Sequence, residues 1–179
     1  MWKVFNFMDF GFAVIKKELF YLRAAWRQGR GLDYLRTRRA ARKIFSSPSN
    51  LQRPINQPNL SVHVLTSHRD LTMLVWALAS FYKVTPIIGQ LYIHSDGTLS
   101  FHDRDRLKIF FPGAEIVAPE QFEPKLTQQL EAYPVLKKYR FNFSDFVLLK
   151  KLIDPFFAST SEFRLIIDSD LLWFTAPTE

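Results

Sequence analysis

Leu60-Ser61-Val62-His63-Val64-Leu65-Thr66 is followed closely by Leu71, Leu74, Val75, Leu78, Phe81 and Tyr82, and the change of period between the two decides the fold. The first run is short, mostly apolar and rich in β-branched residues, the pattern of a buried strand. The second recurs at the spacing of an amphipathic helix. Further along, Gln90-Leu-Tyr-Ile-His94 reads as a second strand closed by the turn Ser95-Asp96-Gly97. Ser100 and Asp103 predict a capping-box start for a helix reaching about Phe111, with Pro112-Gly113 as its stop. Ala114-Glu-Ile-Val-Ala118 is a third strand. Pro124 is expected to open a helix bearing Leu126, Leu130 and Tyr133, and Ser144 to cap another bearing Phe146, Leu149 and Ile153. Phe163-Arg-Leu-Ile-Ile167 then runs into Asp168-Ser169-Asp170. Strands alternating with helices imply an α/β, Rossmann-like fold with a mostly parallel sheet covered on both faces.

The chain has 179 residues, 47% of them apolar and 16% aromatic, which gives room for one core and a short appendage and excludes general disorder. It has no cysteine, so disulfides, thiolate zinc sites and cysteine nucleophiles are excluded, and a reducing cytoplasmic setting is the expectation. The net charge of +7 is unevenly spread. Residues 1–60 hold 12 Lys/Arg against 3 Asp/Glu, and residues 61–179 hold 12 against 14. A near-neutral folded part argues against nucleic acid as the partner. Residues 1–45 form a basic, aromatic-rich segment that starts at Trp2, Val4, Phe5 and Phe7 and continues through Trp26 to Arg36, Arg38, Arg39, Arg42 and Lys43. Charges at Lys3, Asp9 and Lys16-Lys17-Glu18 interrupt it short of the ~20 apolar residues of a bilayer span, and the pattern of a signal peptide is missing. Its composition suits a basic amphipathic helix lying on an anionic membrane surface, peripheral rather than spanning, or one packing on the domain or on a partner. Residues 46–59, SSPSNLQRPINQPN, read as a linker, leaving residues 60–179 as the α/β domain.

Open parallel sheets bind ligands at the carboxyl ends of their strands. Those ends carry Thr66-Ser67-His68, Ser95-Asp96-Gly97 and Asp168-Ser169-Asp170. Carboxylates two residues apart at the end of an apolar strand can hold a hard divalent cation and leave positions for phosphate oxygens and water. Asp103-Arg104-Asp105 has the same spacing, but in the first turn of a helix, where acids serve the dipole and are expected to face solvent. His63, alternating inside a strand, reads as a packed residue, whereas His68 at a strand end is a candidate ligand.

From Leu60 onward, Leu65-Thr66-Ser67, the helix Met73 to Tyr82, Lys151-Leu152 and above all Leu165-Ile-Ile-Asp-Ser-Asp-Leu-Leu172 resemble the donor-binding half of GT-A-fold glycosyltransferases, most nearly the glycogenin-like family 8 and its relatives. The resemblance covers about two thirds of the chain. It implies that Asp168 and Asp170 bind Mn²⁺ or Mg²⁺ bridging the diphosphate of a nucleotide sugar, UDP-linked by analogy with the family. It also implies that Thr66 and Ser67 touch the nucleoside and that Lys151 reaches the phosphates. Lys151 reads equally as a solvated helix lysine, and Asp96, which could contact the base, equally as a turn former. The family's third metal ligand, often a histidine from its second half, has no counterpart after Asp170, nor does the acceptor-binding half. The sheet is accordingly expected to continue past the Asp-Ser-Asp strand, with this chain an incomplete catalytic domain.

The resulting expectation is a metal-dependent glycosyltransferase with an unknown acceptor. The alternative is a non-catalytic nucleotide-binding or scaffolding α/β module tethered to a membrane surface. No Walker loop, Gly-x-Gly-x-x-Gly turn or Gly-x-Ser-x-Gly elbow occurs, which disfavours P-loop, dinucleotide and serine-hydrolase chemistry.

Overall fold

The computed structural model describes residues 19–143 and 147–176. The aromatic opening before residue 19, and the predicted cap Ser144 with Phe146, lie outside them. The chain divides into two units, Met1–Ser47 and Pro48–Glu179.

In the first unit, residues 19–27 are helical (α1), and α2 follows at Gly31–Arg42. The turn between them needs a left-handed residue, which Gly29 supplies at φ 71°. Phe20, Trp26, Leu32 and Leu35 are exposed on these helices among arginines. No helix among the described residues is long and apolar enough to cross a membrane.

The second unit holds a four-stranded, all-parallel sheet flanked by helices. In chain order it runs β1 Leu60–Thr66, α3 Leu71–Val84, β2 Gln90–Ser95, α4 Phe101–Phe110, β3 Glu115–Val117, α5 Pro119–Gln129, α6 Pro134–Asn142, α7 Val147–Ala158 and β4 Phe163–Asp168. The strands lie side by side in the order β3-β2-β1-β4. Val62 sits opposite Leu91 and Leu165, and Val64 opposite Ile93 and Ile167. Strand residues alternate between faces, so these partners on adjacent strands share one apolar face; Val62, Val64, Leu91 and Ile93 on it are buried. The other face carries Ser61, His63 and Leu65 beside Tyr92 and His94, and it meets Phe122 of α5 together with Lys151 and Pro155 of α7. Right-handed crossovers put α3 and α4 on the opposite, apolar side.

Two local expectations are corrected. The helix after β3 opens at Pro119, not Pro124, which lies inside it and costs only the bond to the carbonyl one turn back. Pro119 occupies the first turn, where a missing N–H is harmless. Tyr133 lies beyond that helix, after a 3-10 turn at Leu130–Ala132.

Residues 48–59 have no helix or strand, but their polar groups are fastened to the sheet unit. The Arg53 guanidinium donates to the carbonyls of Tyr82 and Thr85 at 3.0 and 2.7 Å. Asn56 takes the Ile88 N–H at 2.7 Å, and the Leu51 N–H reaches the Phe110 carbonyl at 2.8 Å. Gly89, just before β2, has no room for a side chain, since a Cβ there would stand 2.3 Å from the Leu60 carbonyl oxygen.

Candidate functional site at the carboxyl edge of the sheet

From β1 the chain steps outward through β2 to β3, then returns to place β4 on the other side of β1. The reversal between β1 and β4 is a topological switch point, and the carboxyl side of such a point is the usual ligand position in open α/β sheets. Leu65 pairs with Asp168 and Thr66 with Ser95, so the ends of β4, β1 and β2 lie in adjacent register at this edge.

Asp168 ends β4 on the α7 side, with 57% of its side chain exposed, and Lys151 of α7 forms an ion pair with its Oδ1. Ser169 and exposed Asp170 make the following turn. The chain beyond is anchored to α3, where the Trp173 N–H donates to Ser80 Oγ at 3.0 Å and the indole meets the Phe81 ring edge-on at 5.4 Å. The turn thus has fixed supports on both sides. Among the described residues no group of three or more His, Asp or Glu side chains is gathered for a metal. The donor set present is two hard carboxylates on one exposed turn, which suits Mg²⁺ or Mn²⁺ whose other positions go to phosphate and water.

At the end of β1, Thr66 is buried and its carbonyl takes the Asp96 N–H at 3.0 Å. Ser67 Oγ donates to Asp70 at 2.7 Å. Asp96 Oδ1 accepts from the Thr98 N–H and hydroxyl at 2.8 and 2.7 Å, while Gly97 takes the positive φ (106°) that the turn demands. Thr98 Oγ1 in turn accepts the His68 N–H at 2.9 Å. One hydroxyl therefore ties the loop after β1 to the loop after β2. The structure brings Thr66, Ser67, Asp96, Lys151, Asp168 and Asp170 to this one edge of the sheet.

The Asp103-Arg104-Asp105 pair requires a correction. Asp105 is exposed, but Asp103 is buried and does not face solvent. Its Oδ2 accepts from the Ser100 N–H at 2.9 Å and the Ser100 hydroxyl at 2.6 Å, completing the capping box. It also lies 2.7 Å from His68 Nδ1. Burial pushes the Asp103 carboxyl up, but the bonds from Ser100 and His68 outweigh it and hold it below the ordinary carboxylate range. A carboxylate held anionic fixes the neutral His68 ring as the Nδ1–H tautomer. Nothing in sequence separation 35 announces this pair; the capping box marked Asp103, and only the sheet brought it to His68.

The other two strand histidines lie inside. His63 Nε2 is 2.9 Å from Ser61 Oγ, and His63 Nδ1 is 2.9 Å from His94 Nε2. Ser61 Oγ gives its hydrogen to the Phe163 carbonyl and accepts from Ser159 Oγ, so His63 must donate through Nε2 and receive through Nδ1. His94 then donates from Nε2 and keeps a buried acceptor at Nδ1 that has no partner among the described residues. This is a packed polar relay between sheet and α7, in keeping with a structural role for His63.

No family model matches the chain, and no curated protein or solved structure matches it either.

Proposed function

We propose that the Pro48–Glu179 unit binds a nucleotide-diphosphate sugar, most simply a UDP-sugar, and serves a metal-dependent glycosyltransferase. The observation that carries this reading is the position of Asp168 and Asp170, exposed on one turn beside the β1–β4 reversal with Lys151 paired to the first of them. The two carboxylates would hold Mn²⁺ or Mg²⁺, which supplies positive charge to the diphosphate of the leaving nucleotide. Lys151, which pairs with Asp168, would add a second positive charge to the same phosphates. Thr66, Ser67 and Asp96 frame the nucleoside side of the edge. A tether of the first unit to an anionic membrane surface accompanies this reading, supported by the exposed Phe20, Trp26 and Leu32 among arginines.

Without metal, nucleotide diphosphate would meet two unneutralised carboxylates and bind weakly. A ligand at a hundredfold excess over Kd raises apparent stability by about 2.7 kcal/mol. Thermal unfolding with UDP is therefore expected to shift upward only when Mn²⁺ is present. Asp170→Ala should abolish the metal-dependent increment, and Asp105→Ala, on an exposed helix turn, should keep it. A shift that survives chelation, or an Asp170→Ala protein that behaves like the parent, rejects the reading in favour of a module that does not use the Asp-Ser-Asp turn.

A further inference from the structure

We infer that His68, positioned by Asp103, accepts a hydrogen bond from a ribose hydroxyl of the bound nucleotide, making this edge selective for ribonucleotides. The inference rests on the nucleotide-sugar reading above and adds to it a residue and a discrimination.

The imidazole is half exposed, with 52% of its side chain accessible, while the carboxylate behind it is 3% exposed. In the ring's neutral form, with Nδ1–H given to Asp103, Nε2 is a lone-pair acceptor, and no described residue bonds it. The backbone N–H of the same residue is held by Thr98, and Thr98 is held by Asp96. Ring, tautomer and loop are therefore fixed before any ligand arrives, so little ordering entropy opposes binding. Asp96 uses Oδ1 for Thr98 and leaves Oδ2 as a second acceptor on the neighbouring strand end. Two acceptors on adjacent strand ends suit an uncharged moiety with adjacent O–H donors and repel phosphate. Phosphate belongs instead at the β4 end, with Lys151 and a cation. Adjacent strands lie about 4.8 Å apart. A nucleotide with its diphosphate over β4 and its nucleoside laid across β1 toward β2 puts its ribose beside His68.

The test is calorimetric titration of the full chain, at saturating Mn²⁺, with UDP and with 2′-deoxy-UDP. UDP should bind about fivefold more tightly, the worth of one net hydrogen bond. In His68→Ala that preference should vanish while metal-dependent UDP binding persists, and His68→Gln, whose amide oxygen accepts, should restore part of it. As a check on positioning, NMR of the ring nitrogens should show the Nδ1–H tautomer in the parent and a tautomer mixture in Asp103→Ala. Equal binding of the two nucleotides by the parent, or a preference unchanged in His68→Ala, overturns the inference while leaving the donor reading intact. Absence of Mn²⁺-dependent binding of either nucleotide overturns the donor reading and this inference with it.

Discussion

His63 and His94 show what one buried hydrogen-bond relay costs at low pH. Burial, with Arg164 adding to it, lowers His63 from 6.5 to about 4; burial, then His63 and Arg140, lower His94 to about 3. Protonating His63 would turn the acceptor in the His63–His94 bond into a donor, protonating His94 would put an N–H on its buried, unpartnered Nδ1, and either would place a charge in the interior. The unfolded chain takes its protons near 6.5, the folded chain only well below that. Stability is then complete above pH 6.5 and falls as pH drops from there toward 4 and lower, with the pair titrating as a unit. Each of the two histidines contributes roughly 3 kcal/mol to the loss across that interval, at a little over one kcal/mol per unit of depression. Urea midpoints measured from pH 7.5 to pH 4.5 should trace it, and His94→Gln should flatten the curve. A parent protein whose midpoint is constant over that range would show the relay to be uncoupled from folding.

Between elements, the helices on the second face of the sheet are joined by a buried ion pair in addition to apolar side chains such as Leu126 and Ile153. Arg140 of α6 and Asp154 of α7 are both buried and meet through two bonds, Nε to Oδ1 at 2.6 Å and Nη2 to Oδ2 at 2.9 Å. Glu123 of α5 adds a third carboxylate contact at 3.3 Å, so one guanidinium joins three helices. A planar fork matches a carboxylate in a way a lysine cannot. Removing one partner strands the other charge in a dry setting, so Asp154→Ala should cost about 3–5 kcal/mol in denaturant unfolding. Replacing both, as Arg140→Met with Asp154→Leu, should recover most of that loss, because the desolvation of two charges disappears with their attraction. If the double variant is as unstable as the single one, helix packing here depends on the geometry of the pair and not on its charge balance.

At the scale of the whole chain, the excess of positive charge and the candidate strand-end site reside in different units. Arg23 and Arg27 of α1 and Arg36, Arg38, Arg39 and Arg42 of α2 accompany exposed Phe20, Trp26, Leu32 and Leu35. Apolar insertion and attraction to anionic lipid act together on such a surface, the second decaying over the Debye length. Flotation with phosphatidylserine-containing vesicles should recover the chain, with recovery reduced at high salt and in a Phe20→Glu, Trp26→Glu variant. Equal recovery with neutral vesicles, or none with anionic ones, would remove the membrane from the account.

Strand and helix identity was legible from Leu60 onward because it depends on local period. The run Leu60 to Thr66 could only alternate as a strand, and the Leu71 to Tyr82 pattern could only face inward as a helix. Ser100 with Asp103 announced its cap for the same reason, since a capping box spans one turn. Pro119 against Pro124 was not legible, because both can occupy a first turn and only the end of β3 fixes which one does. Asp168 and Asp170 were visible as a pair, but strand order is a property of the assembled sheet, and it alone put them beside the β1–β4 reversal. The burial of Asp103, its bond to His68 across 35 residues, and the contact of His63 with His94 across 31 were likewise decided by the tertiary structure. Sequence fixes which groups can donate or accept; only the packing of distant segments decides which of them meet, and in what tautomer.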